Sequence, residues 1–240
     1  MVQGSRRTGF ADSALVRLLA RLSAADIRPT GQSTAERLGQ WLGWTDAIAL
    51  STVLNGAPAS SASSRPRASD AAEERECQRV RSTLTAAIAE DSLFARATDA
   101  TDSAMATDFA PYRQRYLARQ QAMEVGIGPL RARLRSALAA RSPAMAKLAA
   151  VDVVMTQALD AREHSLMAGV PAVLEKHFKR LRREAQDALE TQAALDGEAA
   201  PIAWLDTFHR DVRDVLAAEL DFRFQPVEGL LEALRTRQAD

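Results

Sequence analysis

The chain has 240 residues, of which 47% are hydrophobic and 5% aromatic, and its 31 basic side chains balance its 31 acidic ones. That hydrophobic content excludes a disordered chain, and a single cysteine excludes a scaffold held by intrachain disulfides. The net charge of zero excludes attraction of the whole chain to nucleic acid or to an acidic membrane, although local charged patches remain open.

The composition predicts an all-α protein. Alanine, leucine, arginine, glutamate and glutamine are abundant, and these residues lose little rotamer freedom in a helix. The runs of alternating β-branched residues that indicate strands are missing from the sequence. We therefore expect a small N-terminal helical unit followed by a long antiparallel bundle of helices with coiled-coil-like packing.

The N-terminal part of the chain carries the signals of three short helices. A helix over 12–25, with four leucines on one face, is predicted to begin at Asp12 or Ser13. A Ser-Thr-Ala-Glu capping box starts the next helix, and Thr45 is the predicted cap of the third. Residues 1–55 are thus predicted to form the N-terminal helical unit.

A domain boundary follows this unit. Residues 56–69 are rich in Ser, Ala, Gly and Pro and lack a periodic apolar face, which is typical of a flexible linker. Residues 70–240 are then predicted to form the helical bundle.

One apolar seam in the predicted bundle has heptad-like steps of three, four or seven residues. Gly126, Gly128 and Pro129 interrupt it and predict a kink or a break in the helix. The seam consists of Phe109, Tyr112, Tyr116, Met123, Ile127, Leu130, Leu134 and Leu138.

Later helix boundaries are predicted from serine, glycine and proline. Ser142 and Pro143 fit the N-cap and the first residue of a helix, and Met145 and Leu148 belong to the apolar stripe of that helix. Pro226 is predicted to open the last helix.

The zero net charge conceals segments of opposite sign. Residues 109–150 carry eight basic side chains and one acidic, whereas 70–108 carry four and nine, and 191–240 carry five and ten. A second basic cluster occupies 176–183. The candidate residues for binding a partner or a phosphate are Arg113, Arg115, Arg119, Arg131, Arg133, Arg135, Lys176, Lys179, Arg180, Arg182 and Arg183.

Two interpretations of the basic helix are open. Its arginines bind a phosphate or an acidic partner, or they pair with the acidic helices of 70–108 and 202–221 within one bundle. Neighbouring segments of opposite charge favour internal pairing. The basic run also lacks the aromatic platform on which single-stranded nucleic acid stacks.

Motifs for catalysis or for a bound cofactor do not stand out. The potential metal ligands Cys77, His164, His177 and His209 have none of the spacings typical of zinc sites. Asp206 and His209 match one half of a di-iron bundle motif, but the sequence has no second copy. A Gly-x-Ser-x-Gly elbow is also missing. We therefore expect a protein that is not an enzyme and has no metal and no cofactor.

Four stretches of the chain are distinctive together: 7–22, 35–56, 128–134 and 218–231, the last of which reads AELDFRFQPVEGLL. With them, nearly the full length of the chain resembles a bacterial family of all-helical proteins of unknown biochemical function. Members of that family are encoded beside a MotA/ExbB-like proton-channel protein and an OmpA-like peptidoglycan-binding protein, as in Zorya-type antiphage defence operons.

The resemblance implies a non-enzymatic accessory or adaptor subunit of an ion-driven, envelope-associated complex in phage defence, and it implies no catalytic residues. We expect a cytoplasmic protein that reaches the membrane only through partners, because no segment has the roughly 18 apolar residues of a membrane span. Its helix faces would bind the tail of the channel protein or another product of the operon.

Trp41 and Trp44 are the candidate contact residues of the N-terminal unit, although large aromatic residues more often belong to a core. The alternative function is a nucleic-acid-binding effector that grips phosphates through the helix of 109–150 and the cluster of 176–183.

Overall fold

A computed structural model of the chain describes residues 13–23, 39, 41–56, 68–94, 108–193 and 203–236. Within these ranges the regular secondary structure is helical, so the predicted all-α class is confirmed. The helices found there are α1 (Ala14–Ser23), α2 (Trp44–Asn55), α3 (Ala68–Ala89), a 3-10 helix (Ser92–Phe94), α4 (Ala110–Ala139), α5 (Pro143–Ala168), α6 (Val170–Ala193) and α7 (Ala203–Thr236).

Serine hydroxyls cap two helices at the positions that the sequence predicts. Ser13 Oγ accepts the backbone N–H of Val16 at 3.2 Å, at the start of α1. Ser142 Oγ accepts the backbone N–H of Met145 at 3.2 Å, at the start of α5. Each hydroxyl satisfies a backbone donor that has no partner within its helix, which is how a serine N-cap fixes a helix start.

The predicted cap at Thr45 is wrong. Helix α2 already begins at Trp44, and Gly43 is its N-cap. The carboxylate of Asp46 reaches back and accepts the backbone N–H of Gly43 at 2.9 Å. A carboxylate in the first turn also interacts favourably with the helix dipole, so Asp46 sets the helix start instead of the threonine hydroxyl.

Two long helices continue through prolines. Pro129 lies inside α4 and Pro226 inside α7. Of the predicted kink or break at Pro129 the break is therefore excluded, and the predicted helix start at Pro226 is wrong. A proline in a helix interior costs about 3 kcal/mol, because it removes a hydrogen bond and crowds the preceding turn. Burial of Ile127 and Leu130 beside Pro129, and of Val227 beside Pro226, offsets that cost through tertiary packing.

The chain folds into two compact units, each assembled from separate segments. The first unit comprises Met1–Pro29, Thr85–Ala122 and Ala168–Leu220, and the second comprises Thr30–Leu84, Met123–Met167 and Asp221–Asp240. Helices α3, α4 and α7 therefore each contribute residues to both units.

Some of the predictions fall on residues outside the described ranges. They are the capping box at 33–36 and most of the linker at 56–69. The predicted division into 1–55, 56–69 and 70–240 therefore stays a prediction.

Aromatic rings fill the core of the first unit. Tyr112 from α4, Phe178 from α6 and Phe208 from α7 form a triangle with ring centroids 5.0 to 5.7 Å apart. Trp204 packs edge-on against Phe178 at 5.3 Å. Helix α1 packs against α6 and buries Leu15 and Leu22. Edge-to-face contacts of this kind add to the stabilisation that comes from burying large apolar areas.

The second half of the α4 seam, together with the end of α7, supplies the core of the second unit. All eight predicted seam residues of the chain are buried. Leu148, predicted to lie on a buried stripe, is 41% exposed instead. The buried side chains of this core include Leu84, Ile127, Leu130, Leu134, Leu138, Phe224, Val227, Leu230 and Leu234.

None of the described helices is both long enough and apolar enough to cross a lipid bilayer.

Candidate functional site

The first arginines of the basic helix lie in the first unit. Arg119 binds the buried carboxylate of Asp91, with its Nε 2.7 Å from Oδ2, and Arg115 approaches the same carboxylate at 3.7 Å. Asp91 also accepts the backbone N–H of Leu93, which starts the 3-10 helix. Arg113 is exposed and makes no ion pair with a described residue.

The later arginines of the same helix converge on carboxylates of the second unit. Arg131 and Arg135 both bind Asp152 of α5, with Nε to Oδ2 distances of 2.9 and 2.7 Å. Arg133 binds Glu73 of α3, with Nε 2.6 Å from Oε2. These arginines therefore hold α4 to two neighbouring helices.

The two arginines lower the pKa of Asp152. Burial by itself would raise the pKa of its carboxyl group, but hydrogen bonds from Arg131 and Arg135 outweigh burial and hold the pKa below its usual value. The charge pattern predicts pairing with 70–108 and with 202–221. Glu73 and Asp91 belong to the first of these segments, and the arginine pairs described above use no carboxylate of the second. Asp152 lies in 151–190, whose basic and acidic residues nearly balance, so the charge pattern had no signal for it.

The basic cluster on α6 is more exposed to solvent than the arginines of α4 that bind carboxylates. Lys176 and Arg183 are exposed and form no ion pair with any residue in the described ranges. Lys179 binds Glu175 one turn earlier, with Nζ 2.5 Å from Oε1. The remaining members, Arg180 and Arg182, are half-buried.

Helix α2 exposes apolar residues and buries none of its own. Trp44 is 82% exposed, Ile48 is 51% exposed and Leu54 is 50% exposed. Asp46 is its sole charged side chain. Exposed apolar surface of this kind is typical of protein-binding sites.

Two contacts join α2 and the residues just before it to α5 in the second unit. Lys147 Nζ donates to the carbonyl oxygen of Leu54, near the end of α2, at 2.8 Å. The guanidinium of Arg162 lies over the ring of half-buried Trp41, which precedes α2, 4.9 Å from its centroid. Because the lower-numbered end of α5 meets the higher-numbered end of α2, the two helices run antiparallel. Two leucines of α5, Leu148 and Leu166, are exposed as well.

A groove of about 550 Å³ lies between α3 and α7 in the second unit. Two arginines flank it: Arg81 binds Asp221 at 2.5 Å and also binds Glu228, and Arg235 binds Glu74. The guanidiniums at both ends of the groove are thus already neutralised by carboxylates.

Cys77 lies in this groove and is itself buried. Burial, together with the nearby charges of Glu73 and Glu76, raises the pKa of its thiol to about 11. The thiol is therefore protonated at neutral pH.

The sequence predictions missed a buried carboxylate in the first unit. Glu219 accepts hydrogen bonds from the hydroxyl of Tyr116 at 2.6 Å and from the side-chain amide of Gln120 at 3.0 and 3.1 Å. Its signal in the sequence is its position on the apolar stripe of α7, four residues after Val215 and three after Leu216. These donors offset the cost of burying a carboxylate.

The sequence predictions also missed a pair formed by a histidine and an aspartate. His177 Nε2 lies 2.7 Å from Oδ2 of Asp211, and Arg21 of α1 binds the other oxygen of Asp211 at 3.1 Å. The second ring nitrogen of His177 accepts a hydrogen bond from Arg180 at 2.9 Å. An aspartate–histidine pair resembles part of a catalytic triad, but here a guanidinium occupies the place of the nucleophile.

The other potential metal ligands are dispersed. His209 Nε2 lies 3.1 Å from the hydroxyl of Tyr112 inside the aromatic core. Within the described part of the chain, no three His, Cys, Asp or Glu side chains converge in a set that could hold a metal ion.

The fold and these sites define an all-α protein with salt-bridged helices and one exposed apolar helix. A family model described as "Protein of unknown function (DUF3348)" matches residues 1–236, and the chain belongs to that family. No curated protein and no solved structure matches the chain.

Proposed function

We propose that this chain is a non-enzymatic adaptor that binds partner proteins through exposed faces of its helices. The observation that carries the proposal is α2, which buries none of its residues and exposes Trp44, Ile48 and Leu54. Keeping Trp44 and Ile48 in water is unfavourable, and a partner that covers them gains the free energy of their burial.

The partner that we propose is the MotA/ExbB-like channel protein or another product of the same operon, in an envelope-associated complex that acts in phage defence. This part rests on the family resemblance seen in the sequence. An adaptor of this kind works at the cytoplasmic side of the envelope and is held there by its partner.

The test is co-expression with the channel protein and the OmpA-like protein, followed by purification on a tag carried by this chain. Trp44→Ser together with Ile48→Ser is expected to reduce recovery of the partner roughly tenfold or more, because the partner can no longer bury these two apolar side chains. Both residues are exposed, so the variant should keep its fold. The matched control is Leu117→Ser, which changes an exposed apolar residue of α4 and is expected to leave recovery unchanged.

Equal recovery with all variants would contradict a role for α2. Failure of every operon protein to co-purify, together with unchanged phage resistance after deletion of the gene, would contradict the adaptor proposal as a whole.

Nucleic-acid binding is the second candidate, and the contacts of the basic helix support it less. Arg115, Arg119, Arg131, Arg133 and Arg135 already lie against carboxylates, so a phosphate would have to replace an intramolecular partner.

Nucleic-acid binding can be tested without breaking these pairs. The triple variant with Arg113, Lys176 and Arg183 changed to Glu alters exposed residues. A gel shift of DNA or RNA at low salt that this variant abolishes would favour the second candidate. We expect no shift with the wild-type chain.

A further inference from the structure

His177 has a defined tautomer. It lies on α6 with 3% of its surface exposed, and both of its ring nitrogens are hydrogen-bonded. Arg180 Nη2 is 2.9 Å from Nδ1, and a guanidinium can only donate, so Nδ1 must accept. The ring proton is therefore on Nε2, which donates to the Asp211 carboxylate at 2.7 Å.

Charged groups of three helices face this ring. From α1, Arg21 holds the second oxygen of Asp211 at 3.1 Å. From α6, Arg180 contacts the ring and also lies 3.8 Å from Glu184, one turn further along the helix. From α7 comes Asp211 itself, and the ring of Phe208 packs beside the imidazole with centroids 6.2 Å apart.

We propose that His177 is a proton-operated latch that holds Arg180 when the imidazole is neutral and releases it when the imidazole is protonated. A proton taken up from water binds to Nδ1, and the ring then carries an N–H at both nitrogens. The new N–H points at the guanidinium of Arg180, so two donors and two positive charges oppose each other. Arg180 then turns to Glu184, which is already within reach.

The rest of the network stays in place. Asp211 is held more strongly by the imidazolium than by the neutral ring, because its hydrogen bond becomes an ion pair. Helices α6 and α7 therefore stay together while Arg180 changes partner. The change occurs beside the exposed Lys176 and Arg183, so the basic cluster of α6 gains positive charge as the pH falls. Histidine is the side chain whose ordinary titration falls between pH 5 and 8.

The latch is tested by NMR on the full chain with 15N-labelled histidine and arginine side chains, from pH 8 to pH 5. At pH 8 we expect His177 with its proton on Nε2. On acidification we expect protonation of Nδ1 and a change in the Arg180 side-chain signals at the same midpoint. His164→Gln identifies the signals of the exposed histidine.

The variant Arg180→Met removes the opposing guanidinium, and we expect His177 to become protonated at a higher pH than in the wild type. Lys179→Met is the matched control, because Lys179 binds Glu175 and not His177. It is expected to shift the titration little.

Three results would each overturn the latch. They are a proton on Nδ1 at pH 8, Arg180 signals that do not follow the titration of His177, and an unchanged midpoint in Arg180→Met. The first two results are read from the wild-type chain, so they test the latch even if the Arg180→Met variant does not fold.

Discussion

Asp152 is a single residue that binds two arginines of the basic helix and so links α4 to α5. Two guanidiniums from α4 reach one carboxylate on α5, and Arg135 also donates to the hydroxyl of Thr156 at 2.6 Å. The side chains of Arg131, Arg135 and Asp152 are each less than one-fifth exposed. Removing the carboxylate would leave two partly buried guanidiniums without a counter-charge. This costs more free energy of folding than the ion pair itself contributes.

We therefore expect Asp152→Asn to lower the free energy of unfolding at pH 7 by about 2 kcal/mol. The folded state lowers the pKa of Asp152, so its stabilisation is complete above the unfolded pKa of about 4 and is lost as the pH falls through the folded value. Urea unfolding should thus separate wild type from variant at pH 7 and bring them together at pH 2.

Asp160→Asn is the matched control on the same helix, because Asp160 is exposed and has no ion pair with a described residue. It should be close to neutral at both pH values. A difference between wild type and Asp152→Asn that is the same at pH 7 and pH 2 would show that the carboxylate charge is not what matters.

At the scale of elements, packing overrides local helix rules in α4 and α7. Gly128 and Pro129 lie next to each other in the interior of α4, yet the helix extends to Ala139. A Cβ atom added at Gly229 would meet no atom within 4 Å apart from its chain neighbours and its own helix backbone. This glycine costs backbone entropy and provides no close approach in return. Gly128 differs, because a side chain on the residue before a proline crowds the proline ring in a helix.

Gly229→Ala should raise the free energy of unfolding by about 0.5 to 1 kcal/mol, because alanine restricts the unfolded chain and favours a helix. Urea denaturation of the variant measures this. The contrasting variant is Gly56→Ala, whose Cβ would lie 2.8 Å from the carbonyl oxygen of Thr52 and which should not gain stability. Loss of stability in Gly229→Ala would contradict a continuous α7.

The apolar periodicity of the sequence was sufficient to predict the helices and the whole seam of α4. The proline rules failed at Pro226 and could not choose between a kink and a break at Pro129, since the energy that carries a helix through a proline comes from residues far away in the chain. The arginine candidates were recognised as a group, but the partner Asp152 was not, because its position opposite α4 depends on tertiary packing. Trp44 was a candidate on composition alone, and its exposure became visible only in the structure.

At the scale of the whole molecule, neither unit is a continuous piece of chain. Both depend on α7: residues up to Leu220 complete the first unit, and residues from Asp221 onward belong to the second. Helix α7 supplies Phe208 and Val212 to one core and Val227 and Leu230 to the other.

A chain that ends after residue 200 should therefore lose cooperative unfolding entirely. It lacks buried residues of both cores, and burial of large apolar side chains is the main favourable term in folding. Circular dichroism during a urea titration distinguishes the outcomes. A single sharp transition in the shortened chain would show that one unit folds without α7.

This dependence on α7 also sets the order of events during protein synthesis. Multidomain proteins usually complete their N-terminal domain while the ribosome is still translating the rest. Here the nascent chain must wait for α7 before either core can close, so apolar surface from Leu15 onward stays exposed until α7 has left the ribosome. Chaperones that bind nascent chains would have a long opportunity on such a protein, and a stop codon just before α7 would be as damaging as one at the start of the first helix.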